Sequence, residues 1–531
     1  MDGSESPSGS KDVEKLAEAL LREPQLLSTG ISATKIILAR RLDLKEIPSN
    51  AELIHALKAR GAPPTVLRQL RRKPVKTRSG VTIITVAIPL FNCPHGRCIY
   101  CPGGGQTGFP QSYTGAEPVI SYARSVGYSV DAQVRNYLRR LEEMGHEVDK
   151  VEIIFIGGTY TSASPEAQRS YIKAALDGLH NSKSSSVEEA LKRAEWARPR
   201  VAGMMVETRP DWVRPAIADE LVRLGVTRVE LGVQALDDEI YRLIARGHTV
   251  QDVVDATRIL KDRAFKVGYH FMPGLPWSNP EKDLEMYRTI FQDPRFRPDT
   301  IKIYPTMVLP DTPLYQLWKR GEYKPYDVWT LIDLLVRMIE HTPPYVRIHR
   351  IRREIPSEVA VDGKYPGNLR ELVEREAERR GIRCRCVRCR EVGRHTSLSE
   401  ELHQSMEVKE LWYDTLGGRE VFISYETGDG WVLAGLLRLR LPEEPANELL
   451  DGAALVRELH VYGEMTPVGS RPDRGVWQHR GIGGKLLGRA EEVAQEEGYR
   501  RVIVISGLGV KEYYARKGYE RHGPYMAKTI V

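Results

Sequence analysis

The chain of 531 residues lacks the features that mark secreted, membrane-bound or disulfide-stabilised proteins. It has only six cysteines, and they fall into two close triplets, whereas a disulfide framework would distribute them along the chain. No run of eighteen apolar residues occurs, and residues 1–10 lack the basic and apolar pattern of a signal peptide. We therefore expect a cytoplasmic protein that uses its thiols to bind metal.

The formal net charge is also small, at +7, but the basic side chains are clustered. The first group contains Lys58, Arg60, Arg68, Arg71, Arg72, Lys73, Lys76 and Arg78, the second Arg347, His349, Arg350, Arg352 and Arg353, and the third Arg379, Arg380, Arg383, Arg385, Arg388 and Arg390. Any one group could be a solvated charged surface. Three groups in three regions favour contacts with the phosphates of a nucleic acid.

Apolar, β-rich segments alternate with helical patterns through the middle of the chain. Strands are predicted at residues 81–88, 151–156, 201–206, 228–233, 266–271 and 300–303, and helices at 165–179, 211–224 and 250–262. Strands that alternate with helices pair in parallel, so we expect an α/β multidomain protein that contains a partial (β/α)6 barrel. In such barrels the chemistry lies at the carboxyl ends of the strands.

Polar residues and glycines follow several of these predicted strands. The candidates for cofactor or substrate contact at the strand ends are Gly157, Gly158, Thr159, Glu207, Gln234, Lys302 and Tyr304. Glycine pairs are common at strand ends, so the first two residues are a weak signal by themselves. Lys302 and Tyr304 are the residues that we expect to contact substrate.

The first cysteine triplet, Cys93-x4-Cys98-x2-Cys101, is the strongest single signal in the sequence. Three thiolates on so short a loop can ligate three irons of a [4Fe–4S] cluster and leave the fourth iron open to a small molecule. An open iron is what radical S-adenosylmethionine (SAM) chemistry requires. A zinc knuckle is the alternative, although it would need a fourth cysteine or histidine close by.

The second triplet consists of Cys384, Cys386 and Cys389. Its tight spacing favours a structural zinc ion that is completed by water or a distant histidine, and His395 is a nearby candidate. An auxiliary iron–sulfur cluster and unligated surface thiols are the alternatives.

From about residue 407 the pattern changes to that of an α+β domain, with strands predicted at 420–425, 431–439, 454–462 and 501–505 and a helix at 483–497. A Q-x-x-G-x-G motif begins the helix, where backbone N–H groups can bind a pyrophosphate. This arrangement resembles the acetyl-CoA site of the GNAT acyltransferases. The candidate cofactor-binding residues are Glu458, Leu459, His460, Val461, Gln478, His479, Arg480, Gly481, Ile482, Gly483 and Tyr514.

A catalytic role is less well defined in this domain. GNAT enzymes often use a carboxylate or a histidine as general base, which makes Glu458 and His460 candidates, but strand residues of this kind can simply be hydrogen-bonded. Tyr513 and Tyr514 are candidates for the acyl-transfer site and equally for core packing. We predict four regions, namely a tail and basic helical segment (1–75), the barrel (76–375), a cysteine-rich metal-binding linker (376–405) and the GNAT domain (406–531).

Taken in order, the motifs resemble the Elongator catalytic-subunit family in its single-chain archaeal or bacterial form. Besides the cysteine loop they include Gln111-Ser-Tyr-Thr-Gly, Glu207-Thr-Arg-Pro-Asp, Glu230-Leu-Gly-Val-Gln, Arg246-Gly-His-Thr-Val, Lys302-Ile-Tyr-Pro-Thr, Arg457-Glu-Leu-His-Val-Tyr-Gly and Gln478-His-Arg-Gly-Ile-Gly. Two features depart from the usual pattern. The cysteine loop is shorter than in eukaryotic relatives, and Gly157-Gly-Thr replaces the Gly-Gly-Glu of many radical SAM enzymes.

The resemblance implies an enzyme that modifies carbon-5 of the wobble uridine in the anticodon stem-loop of tRNA. SAM bound to the cluster would yield a 5′-deoxyadenosyl radical, which would take hydrogen from the methyl group of acetyl-CoA. Addition of the carbon radical to uracil and hydrolysis of the thioester would leave a carboxymethyl group.

Two other functions are compatible with the sequence. A GNAT protein-lysine acetyltransferase with a structural iron–sulfur cluster would acylate amines without SAM, and a tRNA-binding scaffold would have lost both sites. The intact cysteine triplet and Q-x-x-G-x-G motif argue against the scaffold. The sequence does not indicate other Elongator-type subunits, and it leaves open whether the chain forms a homodimer.

Overall fold

The computed structural model describes residues 8–70, 80–104, 107–146, 148–394, 404–462 and 481–530. Within these ranges no helix is both long and apolar enough to cross a membrane. The first range forms a small helical unit of α1 (Ser8–Arg22), α2 (Ile31–Arg41), α3 (Asn50–Ala59) and α4 (Pro64–Leu70). Leu16, Leu20, Leu53 and Leu57 are fully buried in its core.

A seven-stranded parallel sheet in the order β1 to β7 forms the barrel. Its strands are β1 (Thr82–Ala87), β2 (Lys150–Ile156), β3 (Arg200–Thr208), β4 (Arg228–Gln234), β5 (Lys266–Phe271), β6 (Thr300–Ile303) and β7 (Arg347–Ile351). The six predicted strands are confirmed. The seventh was missed because its sequence, Arg-Ile-His-Arg-Ile, places charged side chains where buried strands usually have apolar ones.

Helices surround the sheet, and their ends follow local sequence signals. In α7 (Pro165–Leu179), for example, the Ser164 hydroxyl accepts a hydrogen bond from the Ala167 N–H, and Pro165 occupies the first turn. The other helices of this region are α5 (Pro118–Ser125), α6 (Val130–Glu143), α8 (Val187–Ala194), α9 (Pro215–Arg223), α10 (Asp238–Leu243), α11 (Val250–Lys261), α12 (Pro280–Gln292), α13 (Pro313–Lys319), α14 (Val328–Glu340), α15 (Leu369–Arg379) and α16 (Val387–Arg390).

The C-terminal region forms a second seven-stranded sheet in the order β13-β14-β12-β11-β10-β9-β8. Its elements are β8 (Met406–Thr415), β9 (Gly418–Thr427), β10 (Leu433–Pro442), β11 (Ala453–Val461), α17 (Ile482–Glu496), β12 (Arg501–Val504), α18 (Lys511–Ala515), β13 (Glu520–His522) and β14 (Tyr525–Thr529). Only β11 and β12 pair in parallel. The four predicted strands and the predicted helix are confirmed, and β8, β13 and β14 are additional.

Buried ion pairs fasten this sheet to the starts of the barrel strands. Arg457 in β11 donates to Asp299, which immediately precedes β6, with an N–O distance of 2.6 Å, and to Glu420 in β9 at 2.6 Å. Lys266 at the start of β5 is paired with Glu458. Because buried charges are stable only when paired, these contacts fix the position of the second domain at one end of the barrel.

Candidate active site at the barrel mouth

The first cysteine triplet lies on the loop of residues 93–101 (the cysteine loop), at the opposite end of the barrel, where the strands finish. Cys98 and Cys101 are buried and Cys93 is half-buried. The Cys101 sulfur accepts hydrogen bonds from the Ser112 N–H at 3.3 Å and from Gln111 Nε2 at 3.2 Å. The three cysteines, Gly158, Thr159, Glu207, Gln234 and Tyr304 line one cavity together.

Backbone contacts fix the cysteine loop against the barrel. The Ile99 N–H donates to the carbonyl of Ile244, just after α10, at 3.1 Å, and the Ile99 carbonyl accepts from the Leu314 N–H in α13 at 2.9 Å. Arg97 joins the loop to the chain beyond β6, since it donates to the carbonyl oxygens of Cys101 and Asp311 at 2.7 Å each. The thiols are therefore held in place by neighbours on two sides.

Gly157 and Gly158 follow β2 with φ angles of +123° and +130°. Side-chain-bearing L residues rarely adopt this conformation, so the sequence needs glycine at both positions. The neighbouring Thr159 hydroxyl lies 3.4 Å from the Cys93 sulfur. Gly158 of this turn lines the cavity, and so does the carboxylate of Glu207 at the end of β3.

Lys302 does not line the cavity, so the prediction that it contacts substrate is not supported by its position. Its ammonium group lies 3.0 Å from Glu207 and is also paired with Glu230, whose carboxylate is 2.9 Å from His270 Nε2. Burial disfavours the charged amine, but Glu230 and Glu207 raise the pKa of Lys302 above its ordinary range. Lys302 therefore holds Glu207 in place, and Tyr304 and His270 face the cavity beside it.

The donor set around the cavity fits an iron–sulfur cluster better than a single ion. Two sulfurs on one zinc ion are separated by less than about 4.6 Å, because each Zn–S bond is about 2.3 Å. Among the described residues, the groups of three ligand side chains within 4.8 Å of one another are Cys384–Cys386–Cys389 and Glu207–Glu230–His270, and the first triplet is not one of them. Its three thiols therefore suit a larger cofactor.

Arg246 supplies a second observation in favour of a cluster. Its buried guanidinium donates to the Cys98 sulfur at 3.6 Å and to the carbonyl of Gly232. Within the described part of the chain no carboxylate oxygen lies within 4.0 Å of it, and its charge partners are the thiols of Cys98 and Cys93 and the Tyr100 hydroxyl. A buried cation without a carboxylate requires another anion. Thiolates that ligate a cluster supply that negative charge.

The second triplet has the geometry of a single-ion site. Its three sulfurs lie within 4.8 Å of one another, and Arg370 Nη2 lies 3.6 Å from the Cys389 sulfur. His395, the candidate fourth ligand, lies outside the described residues. The segment is fixed by Arg390, which pairs with Glu426 of the C-terminal sheet and donates to the Pro344 carbonyl of the barrel at 2.7 Å.

Of the predicted phosphate-contacting residues, Arg390 is buried and paired with Glu426, and for it the prediction is wrong. Arg347 and His349 are half-buried, and Arg347 is paired with Glu391. Arg71, Arg72, Lys73, Lys76 and Arg78 lie outside the described residues.

In the C-terminal domain, β11 and β12 pair only as far as Val456 and Val504, so Glu458, Leu459, His460 and Val461 extend beyond the pairing. Gly481 begins α17 with a φ angle of +80°, and a Cβ atom on Gly483 would lie 2.6 Å from the Tyr513 hydroxyl and 3.7 Å from Val461. Gly481, Ile482, Gly483, Val461 and Tyr513 thus come together. Gln478, His479 and Arg480 lie outside the described residues.

The candidate bases of this domain differ in their surroundings. Glu458 is paired with Lys266 and lies 2.8 Å from Arg438, and these cations overcome the effect of burial and hold its pKa far below the usual range. His460 is half-buried, its Nε2 is inaccessible and has no partner among the described residues, and the loss of solvation lowers its pKa to about 4. His460 is therefore neutral near pH 7 and is the better base. Tyr514 packs between Tyr513 and Tyr519 in the core.

Residue-level reasoning on the sequence missed Glu230, His270 and Arg246 as site residues. Glu230 could have been found, because Arg228, Glu230, Gly232 and Gln234 alternate along β4 and therefore share the face that points into the barrel. His270 on β5 also points into the barrel, and it is the register partner of Lys302 on β6. Arg246 follows α10, where a single arginine carries no periodic signal.

A parallel half-barrel with three cysteines on the loop after its first strand defines the class of radical SAM proteins. In agreement, the family model described as Radical SAM superfamily matches residues 88–290, and that of the Radical_SAM C-terminal domain matches residues 298–379. Membership in this class implies a [4Fe–4S] cluster and SAM as cofactors.

Similar proteins identify the family within this class. A tRNA uridine(34) acetyltransferase of Methanocaldococcus jannaschii is 43% identical over 491 residues, which cover 91% of this chain and 90% of the relative. Elongator complex protein 3 of Schizosaccharomyces pombe is 38% identical over 97% of each chain. The solved structure of archaeal Methanocaldococcus infernus Elp3, with an N-terminal deletion, has a TM-score of 0.75 and 38% identity and covers 85% of this chain and 100% of that one. The chain belongs to the tRNA uridine(34) acetyltransferase family, which includes Elongator complex protein 3.

Proposed function

We propose that this enzyme forms a carboxymethyl group at carbon-5 of the wobble uridine of tRNA, with acetyl-CoA as the source of the two carbons. The observation that carries the proposal is that one chain combines a three-cysteine cavity with a GNAT-like strand and helix pair that suits acetyl-CoA. Uracil carbon-5 is not a nucleophile that an ordinary acetyltransferase could use. A cofactor must therefore supply the difficult step, while the protein binds and orients the reactants.

Cys93, Cys98 and Cys101 ligate the [4Fe–4S] cluster in this proposal. When bound, the cluster and SAM supply a radical that can abstract hydrogen from a methyl group. The glycine backbones of residues 157 and 158 approach SAM closely, and Thr159 and Gln234 contact it as polar neighbours. Glu207 supplies the carboxylate that Gly-Gly-Thr lacks, because Lys302 fixes it at the edge of the cavity.

Acetyl-CoA binds at the start of α17 in this proposal. The N–H groups of Gly481, Ile482 and Gly483, preceded in sequence by Gln478, His479 and Arg480, are suited to the pyrophosphate. The pantetheine chain runs along β11 beside Leu459 and Val461, where β12 has separated from it. His460 is the general base that activates water for thioester hydrolysis, since its imidazole is neutral and Nε2 has no partner among the described residues.

The anticodon loop of tRNA presents the wobble base at the barrel mouth. A base must leave its stack to reach a buried cavity, and this costs least in a single-stranded loop. Arg353 lines the cavity and donates to the Ser112 carbonyl at 2.7 Å, so its charge lies where an RNA backbone would enter. We further propose that Cys384, Cys386 and Cys389 bind a structural zinc ion.

The test is an anaerobic reaction of the iron-reconstituted enzyme with tRNA, SAM, a low-potential reductant and methyl-labelled acetyl-CoA. Mass spectrometry of the digested nucleosides should detect labelled carboxymethyluridine only when SAM is present. Label on protein amines without SAM, and none on tRNA, would replace the proposal with the lysine acetyltransferase function.

A further inference from the structure

Arg246 and Arg209 are neighbouring buried arginines beside the cysteine loop, but only one of them is neutralised by a carboxylate. Arg209 is 2% exposed and forms a bidentate pair with Asp211, at 2.9 and 2.8 Å. Arg246 is 7% exposed and directs its charge at the sulfur of Cys98. The two side chains are linked, because Arg209 Nη1 donates to the Arg246 carbonyl at 2.7 Å. They form a natural pair for comparison.

The surrounding chain fits the Arg246 guanidinium closely. A Cβ atom on Gly232 would lie 2.5 Å from Arg246 Nη2, so glycine in β4 makes room for the charged group. Gly247 has a φ angle of +71°, and a Cβ atom there would lie 3.0 Å from the Cβ of His95. The segment that carries Arg246 is thus packed directly under the cysteine loop, and the position of its charge relative to Cys98 is fixed.

We propose that Arg246 is a positioning residue that raises the reduction potential of the cluster held by Cys93, Cys98 and Cys101. One-electron reduction by an external low-potential reductant adds one negative charge to the cluster. A fixed cation next to a ligand sulfur stabilises the reduced form more than the oxidised form, and the effect is strong in a buried, weakly polarisable environment. The inference depends on the cluster of the proposed function.

The test compares reconstituted wild type with Arg246→Gln, Arg246→Lys and the double variant Arg209→Gln/Asp211→Asn in anaerobic redox titrations, followed by electron paramagnetic resonance. Arg246→Gln should shift the reduction equilibrium at least about tenfold toward the oxidised cluster, which corresponds to about 59 mV for a one-electron couple. Arg246→Lys should shift it less, because the charge is retained. The double variant should leave the midpoint close to the wild-type value, because it removes two opposite charges together and keeps the net charge.

An Arg246→Gln variant with wild-type iron and sulfide content and an unchanged midpoint would overturn the inference. If this variant fails to take up iron, the midpoint of Gly232→Ala is measured instead, because this substitution displaces the Arg246 guanidinium without removing it. A lower midpoint in Gly232→Ala supports the role of Arg246, and an unchanged one refutes it. A wild-type protein without four irons per chain in this triplet would instead contradict the proposed cluster itself.

Discussion

The two ends of the barrel use similar polar side chains in opposite ways. At the strand starts, Asp299 lies 2.6 Å from Arg457 and 3.5 Å from Arg438, and Glu458 is paired with Lys266. At the strand ends, His95 Nδ1, Arg246 Nε, Gln234 Oε1 and the Tyr100 hydroxyl are buried without a partner among the described residues. Arg457 Nε, Arg438 Nη1 and Glu420 Oε1 at the first end also lack a hydrogen-bond partner among the described residues, but the charges there are balanced by opposite charges. At the second end, the Arg246 guanidinium has no carboxylate partner among the described residues.

This difference distinguishes the residues that stabilise the fold from the residues that take part in the chemistry. Buried charges that are paired with opposite charges hold the two domains together, and the loss of one partner should destabilise the fold. A buried cation without a carboxylate costs stability unless another anion compensates it. Polar character alone therefore does not locate the site, whereas an uncompensated buried charge beside the cysteines does.

The largest effect should come from breaking the strand-end site. Cys98→Ser should abolish carboxymethylation, because the cluster loses one of three ligands, while tRNA binding remains near the wild-type level. Nucleoside mass spectrometry and fluorescence anisotropy with labelled tRNA measure the two properties. Cys384→Ser is the matched control, and it should lower the thermal midpoint while product still forms at low temperature. Product formation by the Cys98→Ser enzyme would refute the cluster assignment.

At the strand starts, Asp299→Asn should reduce the free energy of unfolding by about 3–5 kcal/mol, because it leaves Arg457 and Arg438 buried without their shared carboxylate. Urea denaturation measures the change. Glu281→Gln is the control, since Glu281 is 74% exposed and solvent screens its ion pair with Arg337, so its loss should be much smaller. Equal losses in the two variants would contradict the importance of burial.

Lys302 lies between the two ends, and Lys302→Met sharpens the comparison. The variant leaves Glu207 and Glu230 without their cation and should cost about 3 kcal/mol of unfolding free energy. It should also weaken SAM binding, because Glu207 is no longer fixed at the cavity. Calorimetric titration with SAM tests this second effect. If Lys302 contacted substrate directly, SAM affinity would stay constant and only turnover with tRNA would fall.

The smallest effect concerns pH. The pKa of Glu458 is depressed in the folded protein by Lys266 and Arg438, against the opposing effect of burial. Its contribution to stability is present above the unfolded pKa of about 4.3 and is lost as the pH falls below it, and the part lost between pH 5.5 and pH 3.5 is about 1 kcal/mol. Wild type should therefore lose more unfolding free energy between pH 5.5 and pH 3.5 than Glu458→Gln does, a difference that urea titrations at both values would detect. Parallel pH profiles would show that the pair with Lys266 has no electrostatic role.

Sequence reasoning located the strand ends well because strand period and glycine pairs are local signals. It placed Gly158, Glu207 and Tyr304 at one edge, and the structure brings them around the three cysteines. It could not assign Lys302, since a lysine at a strand end looks the same whether it faces ligand or carboxylates 95 and 72 positions away. The roles of Arg347 and Arg390 were missed for the same reason, because their partners are distant in sequence.

The position of β11 has a consequence for how the two domains evolve. Within five consecutive residues this strand supplies Arg457 and Glu458 to the contact with the barrel and Leu459, His460 and Val461 to the proposed acetyl-CoA site. A change in the residues that contact the barrel displaces the residues of the proposed acetyl-CoA site, and the reverse is also true. The barrel and the C-terminal domain therefore cannot be exchanged between relatives as separate modules. They should unfold in a single cooperative transition and diverge as one unit.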